Sequence, residues 1–134
     1  HAGRIDFTLA WRRLADVAAG NEAPLRALFA ESPWPQAWLA RWLERCAIDD
    51  ERSDAPGHGS TRAERMRRVN PWVIARNHRV EEALAAASDD GDMGPFEQML
   101  EAVRRPFDDD AAHARYAEPA PDAVTAGYRT FCGT

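Results

Sequence analysis

Apolar residues recur along the chain in blocks spaced three and four positions apart, the period of helices with one buried face. The first block is Phe7, Trp11, Leu14, Val17 and Ala18, with Asp6 as its cap and Gly20 as its stop. A short helix is predicted from Pro24 to Ala30. Ser32 and Pro33 then supply a cap and a first-turn proline for a third helix, whose stripe is Trp34, Trp38, Leu39, Trp42, Leu43 and Cys46. Three tryptophans on one stripe predict a heavily buried face, because each ring carries a large apolar area.

The periodicity stops over residues 49–60, DDERSDAPGHGS, where Asp, Ser, Pro and Gly collect as they do in surface loops. Thr61 and Glu64 make a capping-box pattern and open an arginine-rich helix. Asn70 and Pro71 interrupt it, and Asn70 is expected to cap a helix starting at Pro71, with Val73, Asn77, Val80, Leu84 and Ala87 on one side. A buried Asn77 amide costs roughly 1–3 kcal/mol unless it is hydrogen-bonded, so it is expected to tie that helix to a neighbouring backbone. After the turn at Ser88–Asp92, Pro95 begins a helix with Phe96, Met99, Leu100 and Val103, which Pro106 ends. No helix or strand period is legible beyond Pro106. The expected class is all-α, five to six helices in an irregular bundle with an extended C-terminal tail. The expected organisation is 1–48 as N-terminal helices, 49–60 as a flexible loop, 61–106 as a second helical region and 107–134 as an irregular tail.

Composition narrows the chemistry. With 134 residues, 45% of them hydrophobic, one domain-sized core is possible. The net charge of -5 argues against a dedicated nucleic-acid binder. No apolar run approaches the roughly 20 residues of a spanning helix, and no signal-peptide pattern opens the chain, so a cytoplasmic protein without membrane attachment is expected. All 17 basic residues are arginine. The absence of lysine excludes from this chain a Walker A loop, a kinase-type phosphate-clamping lysine and a Schiff-base site.

Few side chains gather in catalytic patterns. His1, His58, His78 and His113 are scattered, and no two share the spacing that presents paired nitrogens to zinc. Asp89, Asp90 and Asp92 resemble part of a calcium loop, but the glycine position and the twelfth-position glutamate are both wrong, which favours a solvated turn with a helix cap. Asp108, Asp109 and Asp110 could hold magnesium, yet an acidic run after a helix-ending proline ordinarily faces water. His78 begins HRV without the aspartate of a kinase catalytic loop. Arg62, Arg65, Arg67, Arg68, Arg76 and Arg79 form a local basic patch, open to anion binding or, more ordinarily, to pairing with Glu64, Glu81 and Glu82. Cys46 sits on the tryptophan stripe as a small hydrophobe, whereas Cys132 lies near the chain end and is a candidate redox thiol.

The ordered set MRRVNPWVIARN (Met66 to Asn77), then FEQMLEAVRRPFDDD, a tyrosine-proline stretch and a near-terminal cysteine resembles the C-terminal region of the selenoprotein O/YdiU family. Its markers are Asn70, Pro71, Arg76 and Asn77 of the first block and Arg104, Arg105 and Pro106 of the second. The resemblance covers at least Met66 to Thr134, and Asp6 to Ala47 more loosely. It implies a parent protein with a kinase-like (pseudokinase) fold that transfers AMP from ATP to protein hydroxyl groups with magnesium or manganese. The glycine-rich loop, lysine, catalytic aspartate and metal ligands of that fold would lie upstream, so no catalytic or metal residue is carried over to this chain. One position is: Cys132 stands where the family has a redox-linked cysteine or selenocysteine, although Gly133 and Thr134 follow it in place of a serine-rich ending. The expected role is a helical C-terminal segment supporting the upstream kinase-like domain, its partner, which acts on protein substrates; the segment itself needs no cofactor. The competing expectation is a stand-alone helical interaction module using the tryptophan face and the arginine patch.

Overall fold

A computed structural model describes residues 5–52 and 61–125 of the chain. Among these residues there are helices and no strands: α1 (Phe7–Ala18), α2 (Ala23–Leu28), α3 (Gln36–Arg52), α4 (Arg62–Val69), α5 (Asn77–Asp89), α6 (Gly94–Arg104), and the single turns α7 (Ala114–Ala117) and α8 (Asp122–Thr125). The all-α class is as the sequence implies, and the additional helical turns lie in the region read as extended tail. The chain divides into two compact units, His1–Trp72 and Val73–Thr134.

In the first unit, Asp6 caps α1 by accepting from the Leu9 amide at 2.8 Å. At the other end Gly20 takes φ 88°, which a residue with a Cβ rarely adopts. The buried residues of α1 are Leu9, Arg12, Leu14, Ala15 and Val17. At about 100° per residue these positions surround the axis rather than line one face. The helix is therefore enclosed on most sides, and the expected stripe is displaced: Phe7 is 73% exposed and Trp11 38%.

Leu14 and Val17 of α1 meet Leu25 of α2 and Leu39 of α3 in one cluster, flanked by Phe29, Trp34, Trp42 and Met66. Trp34 is outside α3, which starts at Gln36 and not at Pro33 as expected. The cause is local. The Trp34 indole N–H donates to the Gln36 side-chain oxygen at 2.9 Å, its ring meets Phe29 edge-on at 5.3 Å, and the Arg26 guanidinium lies 4.2 Å from its centroid. Nor is the tryptophan stripe heavily buried. α3 buries Leu39 and Cys46, while Trp38 is 41% exposed and stacks on Trp42 with rings 7° from parallel. Residues 49–52, read as the start of a loop, continue α3; residues 53–60 lie outside the described residues.

α4 opens with the capping box in full: the Glu64 amide donates to the Thr61 hydroxyl at 3.2 Å, and the Thr61 amide donates to the Glu64 carboxylate at 2.6 Å. Its closing turn is held by Arg12. That guanidinium, 2% exposed, donates to the Arg67 carbonyl at 2.7 Å and the Asn70 carbonyl at 3.0 Å. A cation at a helix C-terminus satisfies carbonyls that lack intrahelical donors and complements the helix dipole.

In the second unit α5 packs on α6, with Ala83 2% and Ala102 0% exposed. Small side chains at such positions let two helices approach closely. The helix expected from Pro71 begins instead at Asn77, because the intervening chain is committed elsewhere: the Val73 amide donates to the Pro106 carbonyl at 3.1 Å, with Val73 1% exposed. Asn70 consequently caps no following helix; it ends α4, its side-chain amide donating to the Met66 carbonyl at 3.0 Å. Leu84, placed by periodicity in the buried stripe, is 59% exposed, and Ala83 takes the inward position.

The tail also differs from expectation up to Thr125. Asp110 caps a 3-10 turn, Ala111–His113, by accepting from the Ala112 amide at 2.9 Å, and this turn runs into α7. Tyr116 and Ala117 are buried, so packing rather than intrinsic propensity holds so short an element. The terminal YRTFCGT lies outside the described residues.

Candidate functional site

Within the second unit the Val73–Pro106 hydrogen bond joins the stretch that leads into Arg76 and Asn77 to the stretch that holds Arg104, Arg105 and Pro106. Arg76 and His78 are the buried polar residues next to this junction, each 9% exposed. Asn77 between them is exposed, contrary to the expectation of a buried amide. The helical register accounts for the exchange: α5 begins at Asn77 itself, so its first-turn side chain points outward while its neighbours turn in. Periodicity gave no signal for either buried neighbour, because both are polar and stand off the stripe of Val73, Val80 and Leu84.

His78 Nε2 is buried with no hydrogen-bond partner among the described residues. Burial pushes its pKa down, and the neighbouring Arg79 guanidinium adds to the effect. Arg79 donates two hydrogen bonds of 2.9 Å to Glu82, whose carboxylate also accepts from Arg115 at 3.0 Å. The Arg79 hydrogen bonds hold the Glu82 carboxyl below its usual range. Arg105 pairs with Glu101 one turn earlier on α6, and Arg104 is exposed.

The arginine patch is largely committed to carboxylates. Arg62 donates to both oxygens of Asp50, at 2.8 and 3.1 Å, and to the Cys46 carbonyl at 3.0 Å; Arg65 reaches the same aspartate. These hydrogen bonds hold the Asp50 carboxyl below its ordinary range and raise Arg62. Arg67 donates to Asp16 at 2.7 Å. Of the acidic partners anticipated from sequence, Glu82 takes Arg79, while Glu64 is used in the capping box. Asp16 and Asp50 are distant in sequence from their arginines and gave no local signal.

The acidic clusters serve as turn and cap residues. Asp92 accepts from the Gly94 amide at 2.8 Å beside Gly91, whose φ is 68°, and Asp110 caps the 3-10 turn. Among the described residues no group of three or more His, Cys, Asp or Glu side chains could hold a metal ion, and no helix is long and apolar enough to cross a membrane. Cys46 is buried, and burial raises its thiol pKa above the ordinary value. Cys132, His1 and His58 lie outside the described residues.

Comparison with known proteins adds what this geometry does not carry. No family model matches the chain, and no solved structure matches it. Curated proteins do. The chain is 49% identical over 131 residues to the protein nucleotidyltransferase YdiU of Cereibacter sphaeroides, covering 98% of this chain and 24% of that protein. It is 46% identical to the protein of the same name from Chromobacterium violaceum, over 97% of this chain and 26% of the relative. The Bradyrhizobium sp. protein of that name is 44% identical over 99% of this chain and 26% of its own length. The chain thus spans about a quarter of the length of the curated relatives it matches. At such identity along nearly every residue, the chain belongs, as a segment, to the protein nucleotidyltransferase YdiU family.

Proposed function

We propose that this chain is the helical C-terminal segment of a cytoplasmic protein nucleotidyltransferase that transfers AMP from ATP to hydroxyl groups of proteins, and that it supports a kinase-like catalytic body lying in the remaining sequence. The observation that carries the reading is the mismatch of coverage: nearly the whole chain aligns with relatives bearing that name, yet it accounts for about a quarter of their length. The described residues do not fit a nucleotide or its metal. There is no lysine, Asp92 and Asp110 are engaged with backbone amides, and Arg62, Arg67 and Arg79 are engaged with carboxylates. On this reading ATP and magnesium or manganese belong to the remaining polypeptide, and no catalytic step is assigned to a side chain of this segment.

Its contribution is structural, with Asn70, Pro71, Arg76, Asn77 and Arg104 to Pro106 as the motif that shapes the α4–α5 connection and the end of α6. Cys132 is the candidate thiol for redox control of the body. Titration calorimetry of ATP with magnesium tests the assignment: binding by the longer polypeptide and none by the 134-residue chain is expected. Tight binding by this chain alone would overturn it. A stand-alone interaction module, favoured by the exposed Trp38 ring, would instead show a helical partner-binding protein whose coding sequence does not continue into a kinase-like domain.

A further inference from the structure

α3 is one unbroken helix from Gln36 to Arg52 that turns Leu39 and Cys46 into the first unit. Trp38, Arg41, Arg45 and Ile48 follow one another along it at steps of three, four and three residues. At about 100° and about 1.5 Å per residue, that spacing sets them on a single stripe about 80° wide and about 15 Å long. All four are exposed. The stripe has apolar ends, Trp38 at 41% and Ile48 at 44% exposure, and a cationic middle. Trp38 is stacked on Trp42, which packs against the core, so its ring is braced without being covered. Single exposed apolar residues are ordinary, but two that bracket a pair of arginines on one helix flank define an interaction surface.

The charge on this stripe is poorly matched. Elsewhere in the first unit Arg13, Arg26, Arg62, Arg65 and Arg67 pair with carboxylates. On the stripe Arg45 meets Asp49 at 3.1 Å, and Arg41 pairs with no carboxylate among the described residues. We infer that the stripe docks an acidic segment of the remaining polypeptide, whose carboxylates face Arg41 and Arg45 between apolar side chains that cover Trp38 and Ile48. The inference rests on the reading of the chain as a segment of a longer nucleotidyltransferase. Relatives carry about three-quarters of their length outside the matched region, which supplies an occupant covalently linked to the stripe and hence at high local concentration. A second copy fits the stripe worse. Laying two stripes antiparallel about position 43 sets Trp38 on Ile48 but also Arg41 on Arg45, and a parallel pairing sets each arginine on its own copy. Like charges meet in both arrangements, whereas an acidic segment complements them.

The test uses the longer polypeptide with photo-reactive p-benzoylphenylalanine in place of Trp38, and separately in place of Ile48, with Ala47, exposed on another side of α3, as the comparison position. Mixing isotopically heavy and light protein before irradiation separates crosslinks within one polypeptide from those between copies. The expected result is an intramolecular crosslink from both positions to residues outside the 134-residue segment, at several-fold higher yield than from position 47. Adding Arg41→Glu and Arg45→Glu should lower that yield several-fold, with Arg41→Gln and Arg45→Gln in between. Crosslinks only between copies, yields no higher than at position 47, or yields indifferent to the charge reversal would overturn the inference. Transfer of labelled AMP is measured on the same preparations: an active enzyme without the crosslink sinks the docking surface alone, and a crosslinked but inactive one sinks the nucleotidyltransferase reading alone.

Discussion

The two units bury their residues in different ways. In the first, one helix is nearly enclosed, and the side chains around it are large: Leu14, Val17, Leu25 and Leu39, with Arg12 turned inward to close α4. In the second, α5 packs on α6, the buried residues include Ala83 and Ala102 beside Met99 and Tyr116, and His78 is held among charged neighbours. A core of large side chains fails through cavities, and a buried alanine fails through overpacking. All five tryptophans, Trp11 to Trp72, lie in the first unit, so tryptophan fluorescence follows that unit, and amide exchange in α5 and α6 follows the second.

The largest effect is expected at Leu39, which is 1% exposed at the centre of the cluster. Leu39→Ala should lower the stability of the first unit by about 3 kcal/mol, the transfer loss plus the cavity left behind. Denaturant titration followed by tryptophan emission checks it. The companion change Leu84→Ala, at a position 59% exposed in the second unit, should cost well under about 1 kcal/mol, read from amide exchange in α5. Equal losses at the two leucines would mean that the burial assigned to α5 is wrong.

Next is Arg12. Arg12→Met keeps most of the buried stem but removes the charged donors from the Arg67 and Asn70 carbonyls. A loss of about 2 kcal/mol is expected, in the range for hydrogen bonds to charged groups. Faster amide exchange in the last turn of α4 would accompany it. A neutral result would show that water or another donor replaces the guanidinium.

How much of this was legible in the sequence depends on how local its cause is. Asp6, Gly20 and the Thr61–Glu64 box act within a few residues of themselves, and the α1 and α4 boundaries they set were readable. Periodicity also located α6, whose Met99 is buried as expected. It failed where the partner is remote. Nothing near Val73 announces that its amide is taken by Pro106, and that one bond delays the start of α5 to Asn77 and exchanges Asn77 for Arg76 and His78 in the interior. Likewise a single-face pattern cannot describe α1, which is covered from several directions. The family markers were legible as a string, but the bond between Val73 and Pro106 was not.

The second unit is probed first by overpacking. Ala102 is fully buried, and Ala102→Leu inserts three heavy atoms into the α5–α6 contact. The expected cost is about 2 kcal/mol, read as loss of exchange protection in α5 and α6. The same substitution at Ala85, on the exposed side of α5, should be close to neutral.

The smallest expected effect is the pH dependence that His78 gives the second unit. Its folded pKa lies below the ordinary value of 6.5, because burial and Arg79 oppose the charged ring. Between the folded and unfolded values the unfolded chain binds more protons, so stability is intact above about pH 6.5 and falls as pH drops below it. Glu82, Glu81, Arg76 and Arg79 all act on the ring, and the two glutamates oppose the shift, which keeps the dependence modest. Exchange protection of α5 amides, corrected for intrinsic rates, should decline from pH 7 to pH 5, and His78→Phe should flatten that decline. Asp50 and Glu82, whose pKa values are lowered, contribute only at more acidic pH and leave this window to the histidine. A decline of the same steepness in His78→Phe would place the titrating group elsewhere, and a rise toward pH 5 would mean that the buried ring is charged in the folded chain.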